Sequence, residues 1–318
     1  MRLNNSKAFS LVELIIVIGI SSILLASLVS VFVSQSKTYS KFSDIGEVQQ
    51  AGKAVLDYMA REIRMAGAGM IDKDYKFKNG NTVAVFPHIS SINSSTSSDA
   101  IRIRGNFQGV FGIISSTVGG SDPGDEAIKI KYRERANFSV GNYITINDRS
   151  ISEIRKVDKV SSDKLTVSFA DGDGLLAAHK NGVIFNGIQE LRYYVDGTGT
   201  LRRNNFESNG NQPILENVES LQFQYGVDID NDGIVDGWAN YIGESITVNG
   251  VSYVTDISMV KQVKIWLLVR GTVPDENIND TQTYVMGDRS YQPPSNVRKY
   301  RRILFNTSVT LRNFRRES

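Results

Sequence analysis

The run FSLVELIIVIGISSILLASLVSVFV, from Phe9 to Val33, constrains this chain more than any other feature, because its 25 residues carry a single charge, Glu13. As a helix rising about 1.5 Å per residue it reaches roughly 37 Å, enough to cross a hydrocarbon core about 30 Å thick. It is longer than the apolar segment of about 7–15 residues in an ordinary signal peptide, so it is expected to remain as an anchor. The leader before it, MRLNNSKA, is short and carries Arg2 and Lys7. Positive charge there keeps the leader cytoplasmic and puts everything after Val33 outside.

Beyond Val33 the helical pattern continues and becomes amphipathic. Phe42, Ile45, Val48, Gly52, Val55, Met59, Ile63 and Ala66 recur at steps of three and four. Lys41, Asp44, Glu47, Gln50, Lys53, Asp57, Arg61, Glu62 and Arg64 fall between them as the expected solvent side. Gly67-Ala68-Gly69 marks the stop. The spacing predicts one helix from about Phe9 to Ala66, roughly 87 Å long.

After it the period changes from 3.6 to 2. Runs at 83–86, 101–104, 128–132, 143–146, 165–169, 191–195, 221–227, 263–269 and 303–311 alternate as strands do, with Asp-Gly turns at 171–174 and 196–199. SSINSSTSSD (90–99) is expected as a polar loop. The fold class that follows is α+β: one long N-terminal helix whose outer half covers a face of a β-rich head.

Composition narrows the chemistry. The 318 residues include no cysteine, which excludes disulfides, thiolate nucleophiles and cysteine-held zinc. The only histidines, His88 and His179, lie far apart in sequence and are expected as surface or loop residues. Neither a nucleophile elbow, nor a P-loop, nor an H-E-x-x-H motif occurs, so no enzyme is expected. Net charge is +2, but from Arg298 onward seven basic residues stand against one acid, Glu317. Those charges read as a solvated edge strand that resists edge pairing rather than as a nucleic-acid surface, because no aromatic stacking platform accompanies them.

One acidic stretch stands out. Asp228-Ile229-Asp230-Asn231-Asp232-Gly233-Ile234-Val235-Asp236 has the D-x-D-x-D-G spacing of a calcium loop. Asp228, Asp230, Asp232 and Asp236 would supply carboxylates, Ile234 a backbone carbonyl, and Gly233 the sharp turn. Position twelve is Ala239 rather than Glu, with Glu244 the nearest replacement, and no helices flank the loop. The competing reading is an acidic turn between two strands. Any calcium held there would be structural, since no base or nucleophile adjoins it.

The front end resembles a known family. Lys7-Ala8-Phe9-Ser10-Leu11-Val12-Glu13-Leu14 before an apolar helix is similar to the class III leader of type IV prepilins. The resemblance implies cleavage between Ala8 and Phe9 by a prepilin peptidase, and methylation of the new amine. The family usually has Gly where Ala8 stands. The stretches 55–69, 218–233, 263–271 and 301–313 resemble the PilW-type minor pilins, while 75–190 carries little likeness. Major pilins are typically shorter and often disulfide-closed, so a bulk filament subunit is not expected.

What the resemblance implies is a pilin-like chain in four parts: leader 1–8, transmembrane half-helix 9–33, amphipathic half-helix 34–68 and β-rich head 69–318. It would be a single-pass protein of the bacterial inner membrane with its head in the periplasm, later carried to the pilus surface. Its partners would be other minor pilins, the major pilin, the prepilin peptidase and the assembly machinery, with no nucleic acid. In this family the glutamate at position 13 meets the amine of a neighbouring subunit's first residue, each charge relieving the cost of burying the other. A type II secretion pseudopilin, a calcium-dependent adhesin and a membrane-anchored enzyme are the alternatives.

Overall fold

The computed structural model describes residues 10–70, 76–79, 82–85, 87–107, 109, 111–114, 122–130, 138–147, 152–163, 165–170, 172–179, 184–206 and 210–312. One α-helix, Leu11–Arg64, begins the described chain. At 54 residues it is roughly 81 Å long. It ends two residues earlier than the periodicity predicts. Met65 forms the C-cap, its N–H bonding the Glu62 carbonyl while the Ala66 N–H bonds that of Ile63. Gly67 and Gly69, at φ 78° and 76°, then turn the chain through a backbone region that side chains disfavour.

The two halves of the helix have different surroundings. Residues 10–40 are exposed throughout, so packing on the head starts at Lys41, later than the composition change at Val33. Of the predicted stripe, Gly52, Met59, Ile63 and Ala66 are buried and Val48 and Val55 pack at its rim, whereas Phe42 is 67% exposed. Leu56 and Ala60 complete the buried face. Each fully buried large side chain among them contributes about 1.5–3 kcal/mol. Gly52 is required by a close approach, since a Cβ there would overlap the Phe305 ring.

Against this face lies an antiparallel sheet of four strands in the order Gly237–Ala239, Val218–Val227, Val260–Pro274, Tyr300–Thr310. The register sets Val263 beside Val309, Ile265 beside Thr307 and Leu267 beside Phe305. Val218, Leu221, Phe223, Tyr225 and Val227 join Val263, Ile265, Leu267 and Val269 with the helix in one core. The opposite face packs Leu268 and Trp266 under the hairpin of Tyr284–Met286 and Arg289–Tyr291.

The remaining large sheet is organised by the 12-residue strand Ile184–Val195. Its first residues pair with Tyr143–Asn147 and Phe111–Ile113, and its last with Ala100–Gly105 and Leu201–Asn205. The second part shares the helix core through Ile101, Ile103, Leu191 and Tyr193. Ile114, Ile128, Ile144, Ile146, Val157, Val167 and Phe169 form a separate cluster in the middle of the chain.

Each predicted strand run coincides at least in part with an observed strand, although Phe86, Lys131 and Tyr132 lie outside the described residues. Several strands had no clear alternation to announce them. Ile89–Ile92 forms a hairpin with Ala100–Gly105, so the stretch expected as a polar loop is strand up to Ile92 and loop only from 93 to 99. That loop is held from inside: buried Asp99 accepts the N–H groups of Ser94 and Phe223. Both histidines do lie in loops, but they are buried rather than at the surface.

Candidate functional site

The exposed half-helix begins with a specific local device. Ser10 is the N-cap and its Oγ accepts the Val12 N–H at 3.3 Å. The Glu13 carboxylate reaches back to accept the Ser10 N–H at 2.9 Å. Ser10-Leu11-Val12-Glu13 is therefore a capping box, two side chains satisfying orphan donors of the first turn. Glu13 sits at the mouth of the apolar segment. Ala8 and Phe9, the expected cleavage pair, lie outside the described residues.

Two ion pairs and one carboxylate–threonine contact fasten the other half of the helix to the head. Two of their acids, Asp44 and Glu62, belong to the set expected in solvent and are instead buried. Their burial follows from spacing, since 44, 48, 52 and 56 form an i, i+4 ridge and 59, 62 and 66 a second. Asp44 accepts the Thr272 N–H at 2.9 Å and its hydroxyl at 2.5 Å, and a Cβ on Gly271 would strike the same carboxylate. One turn earlier Lys41 bonds Asp275 at 2.6 Å, and Arg301 approaches the same acid at 3.2 Å. Near the helix end Arg203 grips Glu62 with two N–H groups, at 3.0 and 2.8 Å, while the Tyr193 hydroxyl donates to it. Burial, reinforced by the Glu62 charge, pushes the Tyr193 phenol far above its ordinary range, so it remains a donor.

Asp275 makes the helix contact sensitive to acid. The Lys41 hydrogen bond, followed by the Asn277 N–H and Arg301, holds its carboxyl at about 2, below the ordinary 3.8. A depressed pKa contributes stability that is complete above 3.8 and is lost as the pH falls towards 2. Urea unfolding of the wild type across that window should therefore steepen relative to Asp275→Asn. Identical pH slopes in the two proteins would remove Asp275 from the account.

The basic C-terminal strand is an edge strand, as its charges predict, but its arginines are not simply solvated. The Arg302 side chain is buried, donating to Glu219 at 2.6 and 3.0 Å and to Asp280 at 3.1 Å. Arg298 bonds the Pro293 carbonyl. Arg315, Arg316 and Glu317 lie outside the described residues.

The acidic loop joins strand Val218–Val227 to Gly237–Ala239. Asn231 and Gly233 take φ of 66° and 91°, and the chain closes on its own carboxylates. Asp228 Oδ2 accepts the Gly233 N–H, Asp236 accepts that of Ile229, and Asp232 accepts that of Ile234. Asp228, Asp230 and Asp236 bring one carboxylate oxygen each within 4.8 Å of one another. Asp232 is not in that group. The Ile234 side chain is 67% exposed, and Glu244 is engaged by the backbone and side-chain amides of Asn240. Lys261, from the neighbouring strand, stands 3.5 Å from Asp228 Oδ2 and 3.3 Å from Asn231 Oδ1.

With this geometry in hand, comparison with known proteins is specific at both ends of the chain. A family model for the prokaryotic N-terminal methylation motif matches residues 3–29. A second, for type IV pilus-assembly protein W, matches residues 188–313. Among solved structures, a type IV-like pilin from Thermus thermophilus is similar at 12% identity, over 85% of this chain and 100% of that one, with a TM-score of 0.39. No curated protein matches. The methylation-motif match thus lies on the apolar helix, and the pilus-assembly match lies on the strand-rich head. The C-terminal part of the chain is similar to type IV pilus-assembly protein W.

Proposed function

We propose that the chain is a minor pilin: processed before Phe9, held in the inner membrane by residues 9–33, and assembled with other minor pilins to prime the type IV pilus, at or near whose tip it sits. The observation that carries this reading is the exposed, apolar half-helix of residues 10–33 beneath a matched methylation motif, with one carboxylate in its first turn. Glu13 then has two duties. Within the chain it closes the capping box, and between chains it is the counter-charge for the amine that cleavage creates at Phe9 of a neighbouring subunit. The prepilin peptidase, the major pilin and the inner-membrane assembly machinery are its further partners, and the head faces the periplasm before reaching the pilus surface. A head this large, on a chain without cysteine, fits a low-copy subunit better than the bulk of a filament.

Mass spectrometry of the mature N-terminus tests the first step: N-methylated Phe9 is expected, and an intact Met1 overturns the reading. Two substitutions separate the duties of Glu13. Glu13→Gln keeps an oxygen able to cap Ser10, whereas Glu13→Ala does not. Both variants should be inserted and cleaved, and both should fail to co-purify with partner pilins. If Glu13→Gln co-purifies as the wild type does, capping is the whole role and the intersubunit contact is wrong.

A further inference from the structure

Among the clusters that the assembly reading leaves unused, the loop 228–236 carries an observation that its acidic composition does not. Asp228 is 1% exposed, and its Oδ1 is buried with no hydrogen-bond partner, although Oδ2 is satisfied by Gly233 and faced by Lys261. A buried carboxylate oxygen left without a donor is costly, by more than an ordinary hydrogen bond is worth. Proteins relieve such a group with a donor, a water or a cation. The Asn231 N–H and the Lys261 ammonium also face this carboxylate, while Asp230 and Asp236 each bring an acceptor oxygen within 4.8 Å of it. A cation satisfies all three, and a further acceptor satisfies none.

We propose that Asp228, Asp230 and Asp236 hold one calcium ion. The separation fits, because two oxygens on one calcium at about 2.4 Å can stand up to about 4.8 Å apart. The hard oxygen donors suit calcium, with no nitrogen or sulfur ligand to favour zinc or copper. Asp232 is not among the carboxylates that come within 4.8 Å of one another, and both oxygens of Glu244 are held by Asn240. Asp230 and Asp236 are exposed, so water completes the coordination from the open side.

The site has a defined place in the head. Asp228 N–H bonds the Met259 carbonyl, next to the start of strand Val260–Pro274, whose other end meets Asp44 of the helix through Thr272. From Lys261 to Thr272 the strand runs roughly 35 Å. Since Asp44 lies towards the apolar half-helix, the calcium sits at the end of this strand away from that half-helix. There it ties the connection between two strands into a rigid loop. This assignment does not depend on the assembly reading.

Calorimetric titration of CaCl2 into the full-length protein, solubilised in detergent and stripped with chelator, is the test. Saturable binding is expected with a Kd on the order of 10⁻⁴ to 10⁻³ M, the range of extracellular modules. The double substitution Asp230→Asn with Asp236→Asn should weaken it at least about tenfold, while preserving the acceptor that holds the Ile229 N–H. These two acids are exposed, so the variant tests ligation without emptying a buried position. Lys261→Met should tighten binding by removing a competing cation. Absence of binding in the wild type at about 10 mM calcium, well above the expected Kd, overturns the proposal. So does binding that appears only in Lys261→Met, for then the ammonium is the loop's own counter-ion. Equal affinity for the double variant also overturns it.

Discussion

Glu62→Ala should be among the most destabilising single substitutions in this protein, with a loss of roughly 3–5 kcal/mol. The reason is what it leaves behind. Arg203 would keep a largely buried guanidinium after losing both of its hydrogen bonds to Glu62, and the Tyr193 hydroxyl, fully buried, would lose its acceptor. Removing one partner of a buried pair costs more than the pair itself is worth, because the survivor remains desolvated. Glu62→Leu combined with Arg203→Met and Tyr193→Phe, which replaces the whole group with apolar atoms, should therefore lose much less than the single change. Thermal unfolding followed by circular dichroism, with the three singles and the triple compared, decides it. A triple variant as unstable as Glu62→Ala would show that the ionic group itself, and not the orphaned charge, holds the helix.

Why a helix should be fastened by buried carboxylates when an apolar stripe is available follows from its geometry. The stripe repeats every turn, so sliding the helix by one turn, about 5.4 Å, exchanges one set of aliphatic contacts for a similar one. Asp44 and Glu62 lack that freedom. Each has a dedicated partner, Thr272 and Arg203 respectively, and the acids stand about 27 Å apart along the axis. A slipped helix would bury two unpaired charges. The apolar face thus supplies most of the attraction, while the two acids select the register. For a helix whose other half projects 31 exposed residues from 10 to 40, register on the head fixes how far the membrane segment extends.

The parts of this fold legible in the sequence are those with a period. The helix announces itself through steps of three and four, and the strand at 263–269 through its alternation, Val263, Ile265, Leu267 and Val269 all pointing into one core. Strand Ser152–Val160 was missed because Glu153 and Arg155 occupy positions where the alternation needs apolar side chains. The burial of Glu62 was half legible: it stands three residues after Met59 and four before Ala66, on the stripe, but its charge argued for solvent. Its partners are 131 and 141 residues away, a distance no local pattern spans. The acidic loop was more legible than either, because its spacing is local. Even there, the departure of Asp232 from the cluster depends on the backbone turn at Asn231 and Gly233, which the spacing alone did not show.

Glu153 should respond as sharply as Glu62, in the middle of the chain where no family likeness gives guidance. Its side chain and those of Arg155 and His179 are wholly buried. Glu153 pairs with both, and also accepts the Leu176 N–H at 2.9 Å. Arg155 donates to the carbonyls of Gly174 and Ile154, at 3.2 and 2.6 Å. The group therefore staples the loop 172–179 onto the strand Ser152–Val160. Glu153→Ala would leave an arginine buried beside a histidine with the shared acid gone, at an expected cost of about 3–5 kcal/mol. Glu153→Gln isolates the charge: its oxygen can still accept the Leu176 N–H, yet it cannot neutralise Arg155. If electrostatics dominates, Gln should lose nearly as much stability as Ala, and both variants should show faster hydrogen exchange at Leu176. If Gln behaves like the wild type, the cluster is held by its hydrogen bonds, and the buried positive charge is relieved elsewhere, with Asp173 near Arg155 the first place to look.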